Sequence, residues 1–316
     1  MSRIHEALKK AEQERAATQG GGTLPGFAAT PVAEHPLVNH PLMDSEPAGH
    51  ATSAAASVPG MPVFASPFSL EALLAGSAQS DWTPDPATML FLNGDDSARG
   101  AEEFRTLRSR LYHAREKMTL KKILVTSALP KEGKSFTSAN LAQVLVRQHG
   151  RRVLLIDADL RGPRLHLMLG TTSSPGLSEY LQGESDEFSI MQRGPFENLF
   201  FIPSGREIGN AAELVGNGRL KALLQRVEPL FDWIIIDSPP AVPVSDAGIL
   251  AKSCDGVLMV VRSNQTPFDM ARKAREEFAG QTVVGVVLNG ARDEPAYERY
   301  YYESYQKNGA GAKSQG

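Results

Sequence analysis

Ser127-Ala128-Leu129-Pro130-Lys131-Glu132-Gly133-Lys134-Ser135-Phe136 is the stretch on which the reading of this chain turns. Ahead of it stands Lys122-Ile123-Leu124-Val125-Thr126, a short apolar run suited to a buried strand. Behind it, Thr137 to His149 reads as a helix that stops at Gly150. Strand, Gly-Lys-Ser turn and helix make the context of a phosphate-binding loop. Main-chain N–H groups at the helix start, with the helix dipole, form an anion site. There Lys134 is placed to reach the β- and γ-phosphates of a nucleotide, and the Ser135 hydroxyl to ligate Mg²⁺. Ala128 stands where the motif's first glycine usually falls.

Downstream, apolar runs and helical patterns alternate. Strands are expected at 122–127, 152–157, 199–203, 233–237, 256–262 and 283–288. Helices are expected at 134–149, 176–182, 211–228, 245–252 and 267–279. Val153-Leu154-Leu155-Ile156 and Trp233-Ile234-Ile235-Ile236 are continuously apolar. Such runs suit a mostly parallel sheet covered by helices on both faces, an α/β fold.

Two of these strands end in acids. Ile156 leads into Asp157-Ala158-Asp159-Leu160-Arg161, and Ile236 into Asp237-Ser238-Pro239-Pro240. Ligands of open parallel sheets bind at the carboxyl ends of strands. Three aspartates there beside a phosphate loop match what Mg·ATP chemistry requires. One carboxylate must fix the metal, directly or through water. Another must orient or deprotonate the attacking group. At the end of the last strand, Asn289 precedes Gly290 and suits either a purine edge or an Asn-Gly turn.

Ahead of the first strand, residues 101–116 have helical period, with Phe104, Leu107 and Leu111 as the apolar stripe. Glu102, Arg105 and Arg108 follow at steps of three beside it, which suits a solvated charged face or a docking surface. Residues 1–15 include a short amphipathic pattern with Ile4, Leu8 and Ala11. Residues 16–90 read as a disordered linker. They hold ten of the 21 prolines, and no Lys or Arg occurs between Arg15 and Arg99. Within that linker, Met61 to Phe68 and Leu70 to Leu74 are apolar enough to dock on something. The domain proper is expected over 95–292. A flexible tail, 293–316, follows, with Tyr297, Tyr300, Tyr301, Tyr302 and Tyr305. A phenol, with a pKa of about 10, is a poor nucleophile near neutrality without a positioned base.

Composition narrows the classes. The 316 residues are 41% hydrophobic and 22% charged, enough for a sizeable core. A net charge of −3 provides no global basic field for nucleic acid. A single cysteine, Cys254, excludes an intrachain disulfide framework and suits a reducing cytoplasm. No run approaches the roughly 20 apolar residues of a membrane span. The N-terminal residues lack the apolar core of a signal peptide.

Taken together, these motifs resemble the bacterial tyrosine kinases, P-loop autokinases of capsule and exopolysaccharide synthesis. The resemblance covers about residues 95 to 305. Ser127–Ser135 is similar to their Walker A loop, Ile156–Arg161 to their second Walker motif, and Ile235–Pro240 to Walker B. Glu102-x-x-Arg105-x-x-Arg108 is similar to the element that joins subunits into a ring. The closing tyrosines are similar to the autophosphorylation cluster.

The resemblance implies a P-loop NTPase fold and an ATP- and Mg²⁺-dependent autokinase. Lys131, Glu132, Gly133, Lys134, Ser135 and Phe136 would hold the phosphates, and Asn289 the purine. Ser135 and Asp237 would serve Mg²⁺, with Asp159 in its outer shell. Asp157 would orient or deprotonate the acceptor. It further implies a homo-oligomeric ring, a separate transmembrane polysaccharide co-polymerase as activator, and a paired tyrosine phosphatase. The kinase would be cytoplasmic, held at the inner face of the membrane by its partner, with no nucleic acid involved. The competing class is a partitioning or positioning ATPase of the related dimeric kind. Those carry a second lysine at the position held here by Leu129, and commonly a basic amphipathic tail.

Overall fold

The computed structural model describes residues 69–91 and 100–291. The amphipathic pattern within residues 1–15, the Met61–Phe68 patch and all five tail tyrosines lie outside the described residues.

Eight strands form one sheet: β1 (Ala78–Gln79), β2 (Lys122–Ser127), β3 (Val153–Asp157), β4 (Gln192–Arg193), β5 (Leu199–Ile202), β6 (Trp233–Asp237), β7 (Gly256–Arg262) and β8 (Val283–Asn289). Their spatial order is β1-β4-β5-β3-β6-β2-β7-β8, and all neighbours are parallel except β4 and β5. β2 sits at the change of winding direction. The chain leaves it towards β3 and β5 on one side, then returns through β6 to reach β7 and β8 on the other. That arrangement opens a crevice at the strand tips. Every residue of β3, β5 and β6 is buried, so their side chains face apolar layers above and below.

Alternate strand residues feed two cores. Ile123, Val125, Leu155 and Ile235 pack under α2 (Ala101–Lys117), α3 (Lys134–Val146) and α4 (Leu165–Leu169). Leu124, Leu154, Ile156, Ile234 and Ile236 pack under α5 (Leu177–Gln182), α6 (Ala211–Val215), α7 (Arg219–Val227), α8 (Asp246–Ala251) and α9 (Phe268–Glu277). The expected α/β fold with two-faced cover is therefore present. No described helix is long and apolar enough to cross a membrane. The Cys254 thiol lies 3.3 Å from the Leu250 carbonyl, and burial pushes its pKa up.

Two expectations are corrected. The single helix over 211–228 is two, broken at Gly216-Asn217-Gly218, where Gly218 takes φ +86. The linker over 16–90 does not extend through its last residues. Leu70–Gly76 is a helix, α1, capped by the Ser69 hydroxyl, which accepts from Ala72 N–H at 3.1 Å. β1 then joins the sheet edge, and Leu73, Trp82, Met89 and Phe91 are buried. The proline-rich average concealed these few large apolar anchors. Burying each contributes about 1.5–3 kcal/mol, which offsets ordering a short segment.

Candidate active site

The loop between β2 and α3 turns on two residues with positive φ, Lys131 (65) and Gly133 (100). A Cβ on Gly133 would come within 2.0 Å of Asn289 Nδ2, so only glycine fits there. Ala128 is fully buried and is not among the positive-φ residues, so a methyl group is tolerated at that position. Glu132 turns inward. Its carboxylate accepts from Leu129 N–H at 2.8 Å and from the Thr266 hydroxyl. Arg262 donates to the Lys131 carbonyl at 2.9 Å, and Asn289 Nδ2 to the Glu132 carbonyl at 2.9 Å. The loop is thus braced from the tips of β7 and β8. Asn289 serves the loop here, beyond either part its sequence position suggested.

The parallel register sets Asp157 beside Asp237. Both are completely buried. Asp237 accepts from the Ser135 hydroxyl at 2.6 Å and the Ser138 hydroxyl at 2.9 Å. Burial raises its pKa to about 6, against the pull of the Lys134 ammonium. Asp157 accepts main-chain N–H groups of Leu165 at 3.1 Å and Asp159 at 3.3 Å. Burial, then the neighbouring Asp237 charge, hold its carboxyl well above the usual range. Asp159 accepts from Gly162 N–H at 3.1 Å and faces Lys134 Nζ at 3.8 Å. Arg161 forms a two-pronged pair with the buried Asp246, at 2.8 and 3.0 Å.

A cavity of about 690 Å³ opens over these groups. Lys131, Gly133, Lys134, Ser135, Phe136, Asp159 and Arg161 line it, while Asp157 and Asp237 stand behind. The cavity and its loop suit a nucleoside triphosphate: main-chain N–H groups at a helix start, the ammonium groups of Lys131 and Lys134, and room for a base. The donor set also suits Mg²⁺. Hydroxyl and carboxylate oxygens converge at Ser135 and Asp237, with Asp159 nearby. Among the described residues no cluster of three or more His, Cys, Asp or Glu has metal-site geometry. Mg²⁺ at phosphate sites needs only one or two carboxylates, the rest being water and phosphate.

On α2, Arg105 pairs with Glu102 at 2.8 Å, while Arg108 donates to the Val144 carbonyl of α3 at 3.1 Å. These residues, with Ser109 and His113, border a shallow surface depression apart from the cavity. Sequence reading missed Ser138, Asp246 and Thr266. Ser138 was within reach, since it lies one helical turn from Ser135 and shares its face. Asp246 and Thr266 carry no local signal.

A family model described as AAA domain matches residues 121–270. The chain is 36% identical over 204 residues to tyrosine-protein kinase YwqD of Bacillus subtilis, covering 64% of this chain and 86% of that one. It is 32% identical over 222 residues to tyrosine-protein kinase wzc of Salmonella typhimurium, covering 69% of this chain but only 31% of that much longer one. Among solved structures, the kinase domain of Escherichia coli tyrosine kinase ETK superposes with a TM-score of 0.59 at 33% identity. The match covers 63% of this chain and 79% of that domain.

Proposed function

The chain belongs to the bacterial tyrosine-kinase family, and from that premise we propose that it is an ATP-dependent protein-tyrosine autokinase whose acceptors are Tyr297, Tyr300, Tyr301, Tyr302 and Tyr305 of a neighbouring copy. One observation carries the reading. Lys134, Ser135 and Asp159 meet in a single cavity, backed by Asp157 and Asp237.

Transfer moves the γ-phosphoryl of ATP to a tyrosyl oxygen. The phenol proton passes to a carboxylate, the new O–P bond forms, and the bond to the β-phosphate oxygen breaks to leave ADP. Lys134 and the N–H groups of residues 131–136 hold the phosphates and neutralise developing charge. Phe136 and Lys131 line the cavity beside Lys134 and Ser135, and the Glu132 side chain keeps the loop in shape. Asn289 holds the same loop and lies at the strand tip suited to the purine. Ser135 and Asp237 would hold Mg²⁺, with Asp159 through water. Mg²⁺ held there would supply charge neutralisation at the phosphates.

Asp157, at the tip of β3 beside Asp237, is the carboxylate assigned to orient or deprotonate the acceptor. Its lack of exposed surface means that the entering acceptor must uncover it. Asp159, at the cavity wall, is the carboxylate the phenol meets first.

Glu102, Arg105 and Arg108 would contact the neighbouring subunit of a ring, bringing one tail to the next site. Each phosphotyrosine adds about 1.5–2 negative charges, which loosens such an assembly. In this reading the cycle gates exopolysaccharide or capsule synthesis and export. A separate transmembrane co-polymerase activates the kinase at the inner membrane face, and a tyrosine phosphatase resets it.

The test is to incubate the full chain with Mg·ATP, with the activator's cytoplasmic part, and map phosphate by mass spectrometry. Phosphate on residues 297–305, absent in Lys134→Ala, is expected. Release of inorganic phosphate with no phosphotyrosine would instead identify the positioning-type ATPase.

A further inference from the structure

One segment packed against the cavity lies outside the matched 121–270: the strap of residues 82–91. The sheet order fixes what it lies beside. The loop after β2 has β6 and then β3 on one side, and β7 and β8 on the other. Asp157 ends β3, Asp159 follows it, and α4 comes next. A phenol seeking those acids therefore enters on the α4 side. There Leu167 and Met168 make an apolar wall with Asp85 at its rim. Leu167 is 57% exposed, an apolar side chain that no core accounts for. Phosphates have no use for such a wall, whereas an aromatic ring does.

α4 has five residues, too few to hold its own shape. Both its ends are tied to other parts of the chain. At its start, Leu165 N–H donates to Asp157 Oδ2. At its end, the strap supplies the donors. Asp85 N–H reaches the Met168 carbonyl at 2.9 Å, and Thr83 N–H the Gly170 carbonyl at 3.1 Å. Trp82 anchors the strap away from the phosphate loop. Trp82 lies edge-on to Phe201, centroids 6.1 Å apart, and tilted against Phe196 at 6.4 Å. It fits only because residue 194 is glycine, where a Cβ would come within 2.1 Å of the indole. Further along, Leu90 N–H donates to Asn140 Oδ1 at 2.8 Å, and Asn140 Nδ2 to the Thr88 carbonyl at 2.9 Å.

We propose that the strap is the acceptor-side support of the site: anchored by Trp82 and tied to α4 through Thr83 and Asp85, it fixes Leu167 and Met168 where a tyrosyl ring must pack. Trp82, Thr83 and Asp85 are positioning residues. The inference rests on the kinase reading above and adds where the acceptor binds and what holds that wall.

The test compares full-length Trp82→Ala, Gly194→Ala and Trp82→Phe with the unsubstituted chain. The two alanine variants empty or block the same slot from opposite sides. Trp82 Nε1 is buried with no partner, so Trp82→Phe keeps the aromatic anchor and loses no hydrogen bond. Initial rates of transfer to a synthetic peptide of residues 292–307 are measured while peptide and ATP are varied in turn. Both alanine variants should raise the peptide KM by about 10-fold and leave the ATP KM within about 2-fold, with Trp82→Phe restoring the peptide KM. An unchanged peptide KM in both alanine variants overturns the proposal. So does an ATP KM that rises in parallel, or a Trp82→Phe variant as impaired as the alanine. An unsubstituted chain that makes no phosphotyrosine sinks the kinase reading and this inference together. Transfer that proceeds equally in every variant sinks the strap alone.

Discussion

Asn289, the last residue of the edge strand, donates its side-chain amide to the main-chain carbonyl of Glu132 at 2.9 Å. One hydrogen bond thus ties the phosphate loop to the far end of the domain. Asn289→Ala leaves that half-buried carbonyl without its donor. Nucleotide binding should weaken by about 5- to 30-fold, or ~1–2 kcal/mol, in a calorimetric titration with ADP. Gly133→Ala should do worse, and adding Asn289→Ala should not rescue it. The second change removes the clash but not the cost of φ +100.

Ser138 is the second hydroxyl on Asp237, one helical turn behind Ser135. Ser138→Ala strips a donor from a fully buried carboxylate. Denaturant titration should show a loss of about 1–3 kcal/mol. A variant as stable as the parent would show that this bond adds nothing to the fold.

Arg161 is held by both oxygens of the buried Asp246 and lines the cavity. Lysine keeps the charge but has no planar fork to match the carboxylate. Arg161→Lys is expected to slow tyrosine phosphorylation by about 10-fold or more, since a loosened group misplaces the charge it offers. Asp246→Asn should slow it similarly, because Arg161 loses its charged anchor. Unaltered rates in both variants would remove the pair from the site.

Glu179 gives the fold an acid-sensitive point away from the cavity. Burial alone would raise its pKa. The bonds it accepts from Ser174, Gly176 N–H and Ser178 outweigh that and hold it below the ordinary 4.5. The ionised form is thus the one the fold favours. Its stabilisation is fully present above pH 4.5 and is lost as pH falls through the lowered value. Glu179→Gln should be less stable than the parent at pH 7, by about 1–3 kcal/mol, and should lose less on going from about pH 5 to about pH 3. Equal acid slopes by thermal melting would refute this.

The helix α2 and the six long strands were legible because each carries its own period or an unbroken apolar run. The phosphate loop was legible because Gly-Lys-Ser at a strand-to-helix turn has few other uses. The helix α4 was not, since five residues held by their ends have no period of their own. Nor was the strap, whose anchors Trp82, Met89 and Phe91 are spaced for a surface rather than for a helix or strand. The break at Gly216-Asn217-Gly218 did carry a sequence signal, outvoted by the apolar pattern on either side.

By itself, the order of residues determined the class of sheet, the loop that takes phosphate and the acids at the strand tips. These depend on neighbours along the chain: main-chain angles that glycine permits, and alternation that burial imposes. Only the tertiary structure decided that Asn289 braces Glu132, that Ser138 joins Ser135 on Asp237, that Asp246 holds Arg161, and that Trp82 secures the wall of α4. Each such contact joins residues brought together by sheet order and packing, and hydrogen bonds form by distance in space, whatever the separation in sequence.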